Sequence, residues 1–474
     1  MKTLQLLVFF LIVQSSFSQP VKERLAAAMK TLEADSQMRH AIIGLCVVDT
    51  KTGLPVYEHN AQIGLAAAST QKLFTSGAAF ELLGKEYRYR TTLGYRGSIS
   101  SGVLQGNIMI EGAGDPTLGS WRYKDNNESV VMGKWVQAVK KSGIKKITGG
   151  VYVSCKRSVM ENDGLKKWTA QRTPGGWIWD DIGNYYGAGA DVVNWRENQF
   201  DVIFSPGNFE GERVDSFIVS PSLYNVELSS EVVTGAKGSG DNTIIYLAPD
   251  ANSGVIRGTV PAGAKQFKIS GAMPSPVYYI ISLLKEKLQQ QDVTIVNTLD
   301  SSTAVKFSEP TVSIADIDSP VLDSINYWFL KRSINLYGEA LIQTIAFEKA
   351  GNGTTEKGVE LVKDFWNQHG IDKSAINIID GSGLSPQNRV TADAEVKVLQ
   401  YAKTRPWFAS FYYALPEYNG MKMKSGSIGG ARAFAGYHTA KDGKEYTYSI
   451  IVNNYDGSSG QIVRKLYKVL DELK

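Results

Sequence analysis

The sequence predicts an α+β protein in which both ends of the chain contribute to one antiparallel sheet covered by helices. At the N-terminal end, apolar residues at helical spacing over 21–32 precede a buried-strand pattern at 41–48. At the C-terminal end, three strand patterns precede an amphipathic helix. Between them, residues from about 95 to 310 are rich in short alternating runs typical of strands. These patterns predict one sheet that is interrupted in sequence by inserted domains.

The terminal elements follow from hydrophobic periodicity. Val21, Leu25, Met29 and Leu32 recur at spacings of four, four and three, which predicts the first helix. The three C-terminal strands are predicted at 422–427, 431–437 and 446–452, and the last two are joined by a turn at Asp442-Gly443. A helix-strand-strand pattern at one end thus matches a strand-strand-strand-helix pattern at the other.

The middle of the chain predicts one insertion nested inside another. A helix is predicted at 276–288, with Ser275 as its N-cap and Pro276 at its first position. The stretch 205–272 has almost no helical pattern and carries a Gly-rich turn. The predicted units are a discontinuous domain formed by both ends of the chain (19–94 and 311–474), an inserted domain II (95–204 and 273–310) and an inserted β-rich domain III (205–272).

Composition excludes several functional classes. The chain has 51 Lys and Arg against 47 Asp and Glu, a formal charge of +4 that is too balanced for a dedicated nucleic-acid binder. Two cysteines, Cys46 and Cys155, cannot form a disulfide framework or a cysteine-rich zinc site, and whether the two pair stays open. The four histidines include no pair at i, i+4 spacing. We therefore expect that any chemistry this protein carries out needs no metal or cofactor.

The first residues predict a secretory signal peptide. Lys2 precedes a short apolar run over 4–13, and Ser16 and Ser18 offer small residues for cleavage, which we place after Ser18. About ten apolar residues are too few to span a bilayer as a helix. The sequence predicts a protein secreted across the cytoplasmic membrane, most simply into a periplasm, without a transmembrane anchor.

The segment Ser69-Thr70-Gln71-Lys72 carries the first chemical motif. Lys72 follows Ser69 by three residues, so a helix would place the amine beside the hydroxyl. Such an amine acts as a base when burial or a neighbouring cation lowers its pKa. Alone, S-x-x-K is weak evidence, because an exposed helix N-terminus fits the same residues.

Two further motifs change that balance. Ser333-Ile334-Asn335 sets a hydroxyl near a carboxamide, and Lys424-Ser425-Gly426-Ser427 follows on a predicted strand. Lys424 would supply fixed positive charge, and Gly426 would leave room for a substrate backbone along the strand. In this order, S-x-x-K, S-x-N and K-[ST]-G are the motifs of the serine acyl-transfer site in penicillin-binding proteins and β-lactamases.

The motif spacing makes the resemblance more specific. Ser69 and Ser333 are 264 residues apart, far more than in class A β-lactamases. The chain resembles the penicillin-binding protein 4 type (low-molecular-mass class C) D-alanyl-D-alanine carboxypeptidases, which carry inserted domains at this place. Ile334, where the family often has a polar residue, and Ser425, in place of the commoner Thr, depart from the pattern. Further matching stretches are 112–118, 179–188, 380–385, 389–391 and 453–455.

The resemblance implies a penicillin-binding (serine β-lactamase-like) fold, a five-stranded antiparallel sheet with helices on both faces. It also implies acyl transfer from peptidoglycan stem peptides ending in D-Ala-D-Ala, endopeptidase activity on cross-links, and acylation by β-lactams. Ser69 would be the nucleophile, Lys72 its base, and Ser333 a proton relay. Lys424 would keep Lys72 neutral by like-charge repulsion.

The remaining roles concern the substrate. Asn335 would hold the substrate amide, and the backbone N–H groups of Ser69 and Ser427 would form the oxyanion hole. Lys424 and the hydroxyls of Ser425 and Ser427 would bind the terminal carboxylate, with Gly426 between them. Two alternatives remain: a secreted β-lactamase or esterase, and an inactive wall-binding scaffold of the same fold. The sequence does not determine the oligomeric state.

Overall fold

A computed structural model describes residues 20–155, 172–297 and 310–474. The predicted signal peptide, residues 1–18, lies outside the described residues. Among the described residues, no helix combines the length and the apolar character needed to cross a membrane.

The described residues form eleven α-helices. In chain order they are α1 (Val21–Glu33), α2 (Lys72–Leu82), α3 (Glu128–Lys141), α4 (Trp179–Ile182), α5 (Pro276–Gln289), α6 (Leu322–Lys331), α7 (Asn335–Ala350), α8 (Thr355–Gln368), α9 (Ala392–Lys403), α10 (Phe408–Ala414) and α11 (Ser459–Asp471).

Twenty strands are described. In chain order they are β1 (Ile42–Asp49), β2 (Pro55–His59), β3 (Arg90–Ser100), β4 (Val103–Gly112), β5 (Lys146–Ile147), β6 (Val151–Cys155), β7 (Gln199–Phe204), β8 (Phe217–Ser220), β9 (Glu227–Gly235), β10 (Asn242–Tyr246), β11 (Ser253–Pro261), β12 (Phe267–Ala272), β13 (Thr294–Ile295), β14 (Val312–Asp318), β15 (Ile376–Asn377), β16 (Arg389–Val390), β17 (Glu417–Tyr418), β18 (Met421–Ile428), β19 (Ala431–Thr439) and β20 (Glu445–Asn453).

The first sheet joins the two ends of the chain, as predicted. Its strand order is β17-β18-β19-β20-β1-β2, and every neighbouring pair is antiparallel. The five predicted strands are β18, β19, β20, β1 and β2. The two-residue β17 pairs with β18 and extends the sheet at that end. One face packs an apolar core against α1 and α11, and the other face packs against a larger helical core that includes α2 and α7.

The long insertion contains a second six-stranded sheet in the order β13-β5-β4-β3-β14, with β6 also pairing to β4. Its core includes apolar residues of α3 and α5. The cap of α5 is the predicted one, because the Ser275 side chain accepts a hydrogen bond from the Tyr278 backbone N–H and Pro276 begins the helix.

A β-rich unit lies within this insertion. It consists of two three-stranded sheets, β12-β7-β8 and β10-β11-β9, around an apolar core of their own. The unit begins and ends at neighbouring positions, since Gln199 at the start of β7 pairs with Ala272 at the end of β12. The domain boundaries given above remain a prediction; β7, which precedes residue 205, contributes to the same core as β12.

Candidate active site

The predicted nucleophile lies in a tight turn that leads into α2. Residues Ala68–Gln71 form one 3₁₀ turn, and α2 begins at Lys72. Ala68 has a φ of +50°, a left-handed conformation that is uncommon for a residue with a Cβ and that clusters at functional sites. Ser69 remains partly exposed while Lys72 is fully buried, and Lys72 Nζ lies 2.9 Å from Ser69 Oγ. The turn thus presents the hydroxyl to solvent above a buried amine.

The Lys72 amine is held by three acceptors. Besides Ser69 Oγ, it donates to Asn335 Oδ1 at 2.7 Å and to the Ser382 carbonyl at 2.6 Å. Burial lowers the pKa of Lys72 to about 7, while the nearby Asp380 and Glu339 carboxyls act in the opposite direction. A large share of Lys72 is therefore neutral near pH 7, which is the state a general base requires.

Ser333 and Asn335 lie where α6 gives way to α7. Ser333 has a φ of +57°, and Asn335 is the first residue of α7. The Asn335 carboxamide is fixed at both ends: its oxygen accepts from Lys72 Nζ, and its nitrogen donates to the Tyr186 carbonyl at 2.8 Å. Asn335 therefore connects the nucleophile helix to the inserted part of the chain.

Lys424 on β18 is the second buried amine of the site. It is 1% exposed and donates to Ser333 Oγ at 2.9 Å and to the Ser425 carbonyl at 2.8 Å. Burial and the neighbouring Lys72 hold the pKa of Lys424 well below its ordinary value. Repulsion from Lys424 was the expected reason for a lowered pKa of Lys72, whereas in the structure burial is the leading cause of the lowered pKa at both amines.

Gly426 allows a close approach between β18 and the turn that carries Ser69. A Cβ at this position would lie 2.0 Å from the Ala67 carbonyl oxygen and 3.2 Å from the Ser69 nitrogen. The side-chain side of Gly426 is therefore filled by the turn that carries Ser69, and the predicted space for a substrate backbone along β18 stays a prediction. The glycine lets β18 approach Ser69, which brings the two predicted oxyanion donors, the N–H groups of Ser69 and Ser427, to neighbouring segments.

A cleft of about 610 Å³ opens above the nucleophile. Ser69, Asn335 and Ser427 line it, and Asp181 and Tyr186 from the insertion form part of its wall. The side chains of Lys72, Lys424 and Ser333 lie behind this surface. Lys72 contacts the surface residues through its hydrogen bonds to Ser69 and Asn335. Lys424, on β18, donates a hydrogen bond to Ser333 Oγ. The structure thus brings all three motifs into one site, with the reactive hydroxyl on the cleft side.

Two positioning residues escaped the reasoning from sequence. Asp380, fully buried, accepts hydrogen bonds from five donors and fixes the loop whose Ser382 carbonyl binds Lys72. The donors are the side chains of Gln71, Trp177 and Asn388 and the backbone N–H groups of Gly383 and Ser385. Asn453 on β20 bonds both the N–H and the carbonyl of Ala66, which anchors the segment before Ser69. The matched stretches 380–385 and 453–455 were the available signal.

Cysteine pairing and metal binding are two further questions that the sequence raised. Cys46 and Cys155 do not form a disulfide. Within the described residues, one group has ligand atoms close enough for a cation, formed by Cys46, Glu58 and Asp393 on and beside the first sheet. Burial raises the pKa of the Cys46 thiol to about 12, so it stays protonated and is a poor metal ligand. The absence of a metal requirement remains a prediction.

A sheet formed by both chain ends, with a serine on a turn beside β18 and a buried lysine at the start of the following helix, defines a penicillin-binding type of serine hydrolase. The D-Ala-D-Ala carboxypeptidase 3 (S13) family matches residues 25–417, and this chain belongs to that family. The matched region contains Ser69, Lys72, Ser333 and Asn335 and ends before Lys424.

Individual relatives agree with this assignment. The D-alanyl-D-alanine carboxypeptidase of Actinomadura sp. (strain R39) is 28% identical over 457 residues, which cover 89% of this chain and 80% of the relative. The D-alanyl-D-alanine carboxypeptidase DacB of Haemophilus influenzae is 24% identical, covering 86% of this chain and 84% of the relative.

A solved structure shares the fold along nearly the whole chain. The crystal structure of penicillin binding protein 4 (dacB) from Haemophilus influenzae superposes with a TM-score of 0.76 at 20% identity, covering 95% of this chain and 97% of that one. A second structure of the same protein, complexed with a novel β-lactam, gives a TM-score of 0.72. The penicillin-binding fold predicted from the motifs is thereby confirmed.

Proposed function

We propose that this protein is a serine-type D-alanyl-D-alanine carboxypeptidase that cleaves peptidoglycan stem peptides through an acyl-enzyme. The observation that carries the proposal is the contact of the buried Lys72 amine with Ser69 Oγ at 2.9 Å, beside a cleft lined by Asn335 and Ser427. Family membership supplies the substrate class, and the names of the relatives agree with it.

The first step forms the acyl-enzyme. Ser69 Oγ bonds to the carbonyl carbon between the two D-alanines as its proton passes to neutral Lys72 Nζ. The negative charge on the carbonyl oxygen is stabilised by the N–H groups of Ser69 and Ser427. The C–N bond then breaks, and the departing D-alanine amine recovers the proton, with Ser333 Oγ as the relay.

The second step regenerates the enzyme. Water attacks the acyl carbon as Lys72 takes its proton, the bond to Ser69 Oγ breaks, and Lys72 gives the proton to Ser69 Oγ, which restores the neutral amine and the free hydroxyl. Before the first step, Asn335 holds the substrate amide, and the hydroxyls of Ser425 and Ser427 bind the terminal carboxylate of the substrate. Because a peptide cross-link presents the same D-alanine carbonyl, the site also has the chemistry needed for endopeptidase action.

The same site reacts with β-lactams, whose strained amide replaces the scissile bond. Slow hydrolysis of that acyl-enzyme would make them inhibitors, whereas rapid hydrolysis would indicate a β-lactamase. The protein acts on peptidoglycan outside the cytoplasm, most simply in a periplasm, if residues 1–18 are the signal peptide that the sequence predicts.

Muropeptide digestion tests the proposal. The purified protein is incubated with monomeric pentapeptides and with cross-linked dimers, and the products are identified by mass spectrometry. Loss of one alanine from the monomer supports carboxypeptidase action, and conversion of dimers to monomers supports endopeptidase action. A protein that is folded and labelled by penicillin but releases no product from either substrate would contradict the proposal. Nitrocefin turnover separates the β-lactamase alternative, and the absence of all reaction identifies the inactive scaffold.

A further inference from the structure

An arginine that belongs to none of the three motifs lies at the edge of the catalytic cleft. Arg432 is the second residue of β19, and the strand register sets it directly opposite Ser427 of β18. Residues opposed in an antiparallel pair point to the same face, with Cβ atoms about 5 Å apart. Ser427 and Arg432 both line the cleft. The guanidinium is therefore next to the residue whose N–H is assigned to the oxyanion hole.

The surroundings of Arg432 are suited to an anion. Among the described residues that line the cleft, Arg432 has the only basic side chain. It donates to Ser459 Oγ at the beginning of α11, where the helix dipole also favours negative charge. Within the part of the chain that the structure describes, its buried Nε has no hydrogen-bond partner, and no carboxylate forms an ion pair with the guanidinium. An incompletely satisfied guanidinium beside a cleft is a ready partner for a carboxylate, which it can bind through two parallel bonds.

The hairpin between the two strands leaves space for such a ligand. Gly429 and Gly430 connect Ile428 to Ala431, and a Cβ at either glycine would meet no atom within 4 Å. Lys424, to which the motif assigns the carboxylate, is less suited to this task. It is 1% exposed and its amine is directed to Ser333 and to its own strand. Arg432 is therefore the positively charged side chain that a ligand in the cleft beside Ser69 can contact.

We propose that Arg432 is a substrate-binding residue that anchors the terminal carboxylate of the peptide, one residue beyond the scissile bond. This assignment rests on the proposed carboxypeptidase function and adds to it the group that selects for a free C-terminus. Ser427 supplies the oxyanion N–H and a hydroxyl, and Arg432 supplies the charge. The peptide is thereby positioned with its carbonyl at Ser69 and its carboxylate at the β18–β19 hairpin.

A matched pair of substrates tests the assignment. One is an N-acylated peptide ending in D-Ala-D-Ala, and the other is the same peptide with a C-terminal amide in place of the carboxylate. Release of D-alanine or of D-alaninamide gives kcat/KM for each. Loss of a charge-assisted hydrogen bond predicts a decrease of about 10- to 100-fold for Arg432→Ala on the carboxylate peptide. The same variant should act on the amide within about twofold of wild type, and Arg432→Lys should lie between the two on the carboxylate peptide.

Lys422→Ala serves as the control, because it removes the same charge from β18 at a position that does not line the cleft. It should leave the preference for the carboxylate unchanged. Equal losses on both peptides, or no loss on the carboxylate peptide, would overturn the role of Arg432. If Arg432→Ala does not fold, kcat/KM on the two peptides is compared between Arg432→Lys, which keeps the charge, and Arg432→Gln, which removes it. A larger loss for Arg432→Gln on the carboxylate peptide alone would support the assignment, and equal losses would overturn it. Failure of the wild type to cleave either peptide would instead refute the proposed function itself.

Discussion

The buried position of Lys72 predicts how acylation depends on pH. With a pKa of about 7, the neutral fraction of Lys72 is about 0.09 at pH 6 and about 0.91 at pH 8. Because only the neutral amine can take the Ser69 proton, the second-order rate of acylation should rise about tenfold over this interval. The measurement is the rate of labelling by fluorescent penicillin, whose own carboxyl stays ionised throughout the range.

Substitution then separates basicity from charge. Lys72→Arg keeps a positive charge but cannot lose its proton, so labelling should slow by about 10²- to 10⁴-fold and lose its pH dependence. Lys331→Arg is the matched control, since it makes the same exchange at a partly buried lysine two residues before Ser333. It should retain the wild-type profile. A flat wild-type rate between pH 6 and pH 8, or a Lys72→Arg variant within tenfold of wild type, would refute Lys72 as the base.

Three further outcomes follow from the geometry. Ser69→Ala should abolish covalent labelling in a protein that still unfolds cooperatively, and persistent labelling would mean that the nucleophile is another residue. Gly426→Ala should slow labelling about 100-fold, because its Cβ would displace the Ala67 carbonyl and with it Ser69, whereas Gly133→Ala, where a Cβ meets nothing within 4 Å, should not. Replacing residues 200–271 by a short Gly/Ser linker should slow labelling more than tenfold. The reason is that β10 packs against α4, which leads into the wall of the cleft. An unchanged rate would show that the cleft does not need this support.

Much of the fold could be predicted because its signals are local. The strands predicted at 422–427, 431–437 and 446–452 are observed at Met421–Ile428, Ala431–Thr439 and Glu445–Asn453. The hydrophobic period and the turn residues that limit these strands are present within a few residues of each one. The three catalytic motifs were likewise local patterns, and their order along the chain gave the family.

What escaped prediction depends on contacts between distant segments. The Gly426 contact with Ala67 and the bond from Asn335 to the Tyr186 carbonyl join residues more than a hundred positions apart. Arg432 lies only five residues beyond Ser427, but its relevance comes from the strand register, which the motif does not contain. A local pattern can thus identify reactive groups, whereas the side chains that hold them are identified only once the tertiary packing is known.

The pairing of Gln199 with Ala272 has a consequence for how the chain folds. Once β7 and β12 pair, the ends of the β-rich unit are as close as the two strands of a hairpin. The rest of the chain then pays almost none of the loop-closure entropy that a long unstructured insertion would impose. The β-rich unit can therefore form before the six-stranded sheet of the insertion without slowing the search for the contacts that join β14 to β3 and β13 to β5. Its length can also change during evolution while the distance across its attachment points stays constant, so the catalytic cleft is not displaced by growth at the far end.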